Sequence, residues 1–237
     1  MPKYKVANVV FDLLPIYAYT PNICKNYLCK NEQTPELIIK TTQQDIDAEK
    51  VGEVVYPDAY YESLSVFRKL CNYVLSKKDG IIFHSSAIMV DGKAYLFTAP
   101  SGTGKSTHTR LWRELLGDRA VMINDDKPII RYEENKFFVY GTPWNGKHSL
   151  DTNCRAEIKG ICSIYQSKEN VIRKADSSEM LPIILNQTLR PASVSDMDRL
   201  LGLIDKMLTQ VSVYKLGCNI SLEAAELSYK TMSGEAQ

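Results

Sequence analysis

Apolar and polar positions along this chain fall into short blocks that alternate between extended and helical spacing. The first sixty residues hold two apolar runs, Val6–Leu14 and Leu37–Ile39, separated by polar connections such as Asn31-Glu32-Gln33-Thr34, which predicts a few strands with long loops. From Tyr60 to Ser76, Leu64, Phe67, Leu70, Val74 and Leu75 recur at helical spacing and predict an amphipathic helix ended by Asp79-Gly80. Extended runs follow at Ile81–Phe83, Ala87–Val90 and Lys93–Thr98, the last two parted by Asp91-Gly92. An Asp-Gly pair between apolar runs signals a hairpin, because both residues accept the positive φ that a tight two-residue turn demands. The strand Lys93–Thr98 is therefore expected to have an antiparallel neighbour just upstream.

Beyond it, Ser106–Leu116 carries Trp112, Leu115 and Leu116, lacks Pro and Gly, and stops at Gly117, as a helix should. Ala120–Ile123 predicts a short buried strand running into Asn124-Asp125-Asp126, and Ile129–Tyr132 with Phe137–Tyr140 predicts a second hairpin around Glu133-Glu134-Asn135. Gly141–His148 reads as a loop whose Trp144 looks exposed and invites a substrate role. Helices are expected at Ser178–Thr188 and Met197–Thr209, separated by Pro191, then a strand Val211–Leu216 and a terminal helix Leu222–Met232. The pattern is that of an α/β chain with a mixed sheet and flanking helices. Its natural division is a strand-and-helix extension at 1–80, packed on a core domain at 81–237.

With 237 residues the chain can bury a sizeable core. Its 29 Lys and Arg against 28 Asp and Glu leave a net charge of +1, which offers no footprint for nucleic acid or for an anionic membrane. The first apolar stretch meets Asp12 too early for a signal peptide, and no later run reaches the length of a membrane span, so a cytoplasmic protein is expected. Six cysteines without a C-x-x-C pair read as free thiols, Cys71 and Cys162 in the core and Cys24 and Cys29 as the two that could be exposed.

The chemistry concentrates between residues 84 and 126. Ala-Pro-Ser-Gly-Thr-Gly-Lys-Ser at 99–106 is a phosphate-binding loop, G-x-x-x-x-G-K-[ST], with only its first glycine replaced, by Ala99. Ser101, Gly102, Thr103 and Gly104 would turn backbone N–H groups toward phosphate oxygens, Lys105 would meet the β and γ phosphates, and Ser106 and Thr107 open the helix, with the Ser106 hydroxyl suited to magnesium. The flanking strand and helix are the order that an anion site requires. Asp125 and Asp126 end a strand on the edge where the loop should lie, so that one can hold a metal and the other accept a proton. His84 ends another strand and could share a proton with a nearby aspartate. His108 is expected to face solvent, and Lys147, His148 and Arg190 are surface charges within conceivable reach of phosphate.

His84-Ser85-Ser86, the hairpin, the loop Ala-Pro-Ser-Gly-Thr-Gly-Lys-Ser-Thr and the later Asn-Asp-Asp together resemble the catalytic domain of HPr kinase/phosphorylase, over about residues 81–237. The resemblance implies the phosphoenolpyruvate-carboxykinase-like fold and a protein serine kinase using ATP and magnesium. Carried over, Asp125 is the general base, His84 the catalytic histidine, Lys105 the phosphate lysine and Ser106 the magnesium hydroxyl, with Arg190 matching a later catalytic arginine. The family's acidic metal ligand has no counterpart before Gly141, where Phe138-Val139-Tyr140 stand, which leaves Asp126 or an acid elsewhere to complete the metal site. The implied partner is a hydroxyl-bearing protein, peptide or small molecule, met near Gly141–His148, and the hexameric family leaves homo-oligomerisation open. The alternatives are a nucleotide-binding regulator without transferase activity and a small carboxykinase-like lyase.

Overall fold

Ala7 and Asn8 adopt left-handed conformations and split the first apolar run in two. In the computed structural model, which describes residues 2–29 and 33–235, β1 (Lys3–Val6) and β2 (Val9–Leu14) pair antiparallel across that turn, and β3 (Leu37–Lys40) joins β2 in parallel. The first two residues of the polar connection at 31–34 lie outside the described residues. Helix α1 (Tyr19–Ile23) precedes β3, and α2 (Gln43–Ala48) follows it behind a capping box formed by Thr42 and Asp45. The long α3 (Asp58–Lys78) extends the predicted helix at both ends. Asp79 terminates it in the left-handed region. Gly80 must then be glycine, since a Cβ there would stand 2.4 Å from Val74 Cγ1.

The main sheet begins with β4 (Gly80–Ile82), β5 (Ser86–Val90) and β6 (Lys93–Thr98). Asp91 and Gly92 both have positive φ, so the β5–β6 hairpin turns as expected. After α4 (Lys105–Leu116) come β7 (Ala120–Asn124), β8 (Ile129–Glu133), β9 (Lys136–Tyr140), β10 (Arg155–Gln166) and β11 (Val171–Lys174). The chain closes with α5 (Ser177–Asn186), α6 (Val194–Gln210), β12 (Ser212–Cys218) and α7 (Leu222–Ser233). Among the described residues these nine strands form one mixed sheet, in the order β4-β8-β9-β10-β6-β5-β7, with β12 beside β10 and β11 outside it.

β10 is the hub. Its first residues pair antiparallel with β9, its last seven pair parallel with β12, and its other edge carries β6 in parallel. Alternation along β6 separates the two faces: Ala94 and Leu96 belong to the core under α5 and α6, Tyr95 and Phe97 to the core under α4 and α7. A third core joins β1, β2, β3 and α3 to Ile82, Ile129, Tyr140 and Trp144, so the first eighty residues share buried surface with the strands β4, β8 and β9. No helix among the described residues is long and apolar enough to cross a membrane.

Three expectations about exposure are corrected. Cys24 is fully buried in the N-terminal core, where burial, with a smaller contribution from the charge of Asp151, pushes its thiol up to about 12. Trp144 is buried against Phe67, at 4.6 Å between ring centroids, and its indole Nε1 donates to the Ser63 carbonyl at 3.0 Å. His108 is turned inward against the ring of Phe97 and shares Ser228 with Trp112. The single Ser228 hydroxyl proton goes to the Ala225 carbonyl, so His108 Nε2–H and Trp112 Nε1–H both donate to the Ser228 oxygen, and His108 Nδ1 is left a bare buried acceptor.

Burial lowers the His108 pKa to about 4, against about 6.5 for an exposed imidazole. Between those values the unfolded chain takes up a proton that the folded chain refuses. The contribution is therefore complete above pH 6.5 and is lost as pH falls toward 4, by about 3 kcal/mol. Urea midpoints measured at pH 7 and pH 4.5 should fall more steeply for the native protein than for His108→Gln; equal slopes would contradict the assignment.

Candidate active site

The last residues of β6 and β7 emerge on one edge of the sheet, because both strands run antiparallel to β5, which lies between them. That edge is where an open α/β sheet places ligands. The candidate phosphate loop leaves β6 at Ala99 and enters α4 at Lys105, with Gly102 at φ +80° and Gly104 at φ +124°, conformations that a side chain would strain. Ala99 is fully buried among Phe97, Leu111 and Trp112, and its φ is not positive. The missing glycine is thereby explained: this position needs no left-handed backbone, and its methyl group packs in the core.

Lys105 folds back over the loop, its Nζ donating to the Ala99 carbonyl at 2.9 Å and to Pro100 at 3.4 Å. Burial pushes its ammonium below the ordinary lysine value, against the pull of Asp126 and Asp125. An anion entering the loop would thus meet a cation that has surrendered solvation and holds only carbonyl partners. Thr103 braces the turn by donating its hydroxyl to Pro100, and the Ser106 hydroxyl has no hydrogen-bond partner among the described residues. Ser101 is exposed on one side of the loop, while Gly102, Thr103, Gly104 and Thr107 line a cavity of about 490 Å³ on the other.

Beyond β7, Asn124 organises the acidic pair. Its Oδ1 accepts from the backbone N–H of Asp126 and of Lys127, an Asx turn, while its Nδ2 donates to Thr142 and Trp144. The two aspartates then diverge. Asp125 is buried and accepts a hydrogen bond from Ser86, which also meets Thr109 of α4. Asp126 faces a second cavity, of about 570 Å³, paired with His84 Nε2 at 3.1 Å and with the Lys127 ammonium. Burial is the largest single influence on Asp126 and raises its pKa, but the His84 hydrogen bond and Lys127 together outweigh it and hold the carboxylate below its ordinary value. His84 is fixed on its other nitrogen by Gln187, at 2.9 Å, and its backbone N–H donates to the Gln187 carbonyl.

Among solved structures, the chain is similar to the Hpr(Ser) kinase/phosphatase from Coxiella burnetii. Identity is 12%, coverage is 65% of this chain and 94% of that one, and the TM-score is 0.35. No family model matches the sequence, and no curated protein does.

The structure therefore brings His84, Lys105, Asp125 and Asp126 to one edge, but it pairs His84 with Asp126 rather than Asp125. Arg190 is exposed and bonds Asn186, and among the described residues no hydrogen bond or ion pair joins it to the loop or to either aspartate. Lys147 and His148 lie exposed on a short 3-10 turn, while the glycine before them, Gly146, closes over Asp126: a Cβ there would stand 3.0 Å from Asp126 Cβ. Sequence reasoning named Ser86 and Asn124 without giving them a role, and missed Lys127 and Gln187. Asn124 and Lys127 flank the acids and were within reach; Gln187, 103 positions from its partner, left no signal.

Proposed function

We propose that this chain is a kinase that binds ATP with magnesium and transfers the γ-phosphoryl group to a hydroxyl, on a seryl or threonyl side chain of a protein or peptide. The observation that carries this reading is the divergence of the two aspartates beside one phosphate loop. Such an arrangement supplies the two things that phosphoryl transfer asks of a protein, charge neutralisation and a placed proton acceptor.

In this reading the loop N–H groups, the N-terminus of α4 and Lys105 hold the phosphates. The unpartnered Ser106 hydroxyl and the carboxylate of Asp125 are the hard oxygen donors that would hold magnesium. No group of three or more metal-ligating side chains occurs among the described residues, which suits an ion that takes most of its ligands from phosphate and water. Magnesium, when bound, supplies neutralisation of the charge spread over the phosphate oxygens. Asp125, held by Ser86, serves the nucleotide side. Asp126 faces the other cavity and takes the acceptor's proton, with His84 orienting it. The sequence resemblance assigns these two roles the other way round, and the geometry is the reason for exchanging them.

Lys105→Ala should weaken ATP binding by about tenfold or more and depress transfer with it, as loss of a buried charge partner does. Titration with a fluorescent ATP analogue, together with phosphate transfer from labelled ATP into cell lysate, checks both halves. Unchanged affinity in the variant would remove the loop from the site. Full ATP binding without transfer to any acceptor would favour the regulator.

A further inference from the structure

The larger cavity is built in part by residues outside the stretch that carries the sequence motifs. Leu64, Phe67 and Arg68 lie on one face of α3, at i, i+3 and i+4, and form one wall. Ile82 and Leu189 extend its apolar surface, and His84, Ser101, Asp126 and Lys127 line it as well. Hence the wall that an acceptor would touch belongs to the N-terminal region, while the reacting groups belong to the sheet edge.

Its charges are already matched. Arg68 places Nε and Nη2 on the Glu49 carboxylate at 2.6 and 2.8 Å, and Lys127 pairs with Asp126. Most acceptors among its neutral polar groups are committed too: Gln187 Oε1 to His84, Asn186 Oδ1 to Arg190, and the Thr188 hydroxyl to the Ile184 carbonyl at 2.7 Å, which leaves the Ser101 hydroxyl and the two amide nitrogens. A charged acceptor would find no unbalanced partner here, and a polyol would find few free donors or acceptors for its hydroxyls. What the cavity offers most of, without rearrangement, is apolar contact along Leu64, Phe67, Ile82 and Leu189. Its volume, about 570 Å³, exceeds what one serine side chain fills and leaves room for neighbours.

Resting on the kinase reading above, we propose that this cavity is the acceptor site and that it selects a peptide in which the seryl or threonyl residue stands next to an uncharged aliphatic or aromatic residue. That neighbour packs on Leu64, Phe67, Ile82 and Leu189, and the hydroxyl turns toward Asp126 and His84. The transfer is balanced: the acceptor oxygen bonds to the γ-phosphorus, the bond from that phosphorus to the β–γ bridging oxygen breaks, ADP leaves with that electron pair, and the hydroxyl proton passes to Asp126.

The test uses serine-centred octapeptides that differ only in the residues beside the serine, set as Leu or Phe, Asp, Lys, or Gly. With the 237-residue chain and labelled ATP, kcat/KM should favour the Leu and Phe peptides about tenfold. Leu64→Asp and Leu189→Asp should each erase that preference by raising KM, and their affinity for an ATP analogue, measured in parallel, reports that they fold. Equal rates for all four flanks, a preference for a charged flank, or unaltered selectivity in both variants would overturn the proposal while leaving the kinase reading intact. If no peptide is labelled, the kinase reading fails, and fluorescence anisotropy of the same peptides decides on the cavity. Selective binding of the Leu and Phe peptides that both variants lose would sustain it, and unselective binding or none would overturn it.

Discussion

Asp126→Asn is expected to reduce phosphoryl transfer by about 10²–10³-fold while nucleotide affinity changes by no more than a few-fold. The substitution keeps the volume of the side chain and removes its capacity to accept a proton. It also leaves His84 Nε2 and the Lys127 ammonium without their carboxylate partner, on the wall of the 570 Å³ cavity. Asp125→Asn is the control that gives the result its meaning. Its Oδ1 would still accept the hydrogen bond from Ser86, so the local structure should survive, and any loss should fall on nucleotide affinity as well as on rate. Single-turnover transfer and equilibrium titration of an ATP analogue separate the two effects. Should Asp125→Asn be the variant that binds nucleotide and transfers nothing, with Asp126→Asn active, the proton acceptor is Asp125, as the sequence resemblance has it.

The second large effect concerns stability. Trp144→Ala should cost about 3–5 kcal/mol, the range for deleting a large buried aromatic side chain. The indole is buried, stacks on Phe67 and donates to Ser63, so its removal opens a void between α3 and the loop that follows β9. Trp144→Phe keeps most of the packing and loses one hydrogen bond, and should cost about 1 kcal/mol. Urea unfolding of the two variants against the native protein gives the comparison. A Trp144→Ala protein of native stability whose only defect is a raised KM for acceptor would restore the substrate role that its loop position suggests.

Trp144 also shows where sequence reading runs out. Its neighbours Gly141, Pro143 and Gly146 mark a loop, and a loop it is. What composition could not convey is that Asn124 bonds Thr142 and Trp144, drawing the segment inward until a tryptophan closes the N-terminal core. His108 fails for a related reason: Ser228, its partner, lies 120 residues away. Local backbone form was legible. The hairpins at Asp91-Gly92 and Glu134-Asn135, the glycine-rich turn at 99–106 and the helix after it all depend on φ preferences or spacing within a few residues. The first turn, at Ala7-Asn8, escaped because alanine gives no turn signal. β10 escaped although Ala156 and Ile158 alternate with Arg155, Glu157 and Lys159, since its inner half changes to a run buried on both faces, Gly160–Ile164, in which Gly160 and Ser163 break the apolar pattern. The two aspartates were found as a pair, but which of them meets His84 depends on the Asx turn at Asn124, a tertiary arrangement.

The position of α3 carries a consequence for how this protein can change. Phe67 lines the proposed acceptor cavity and also stacks on Trp144, whereas Leu64, one turn away, lines the same wall and is only partly buried. Selectivity can therefore drift cheaply at Leu64. At Phe67 it can drift only in step with Trp144, since each ring fills the space that the other leaves. Compensating substitutions at those two positions, 77 residues apart in sequence, would be the mark of a chain that has moved to a new acceptor without losing its fold.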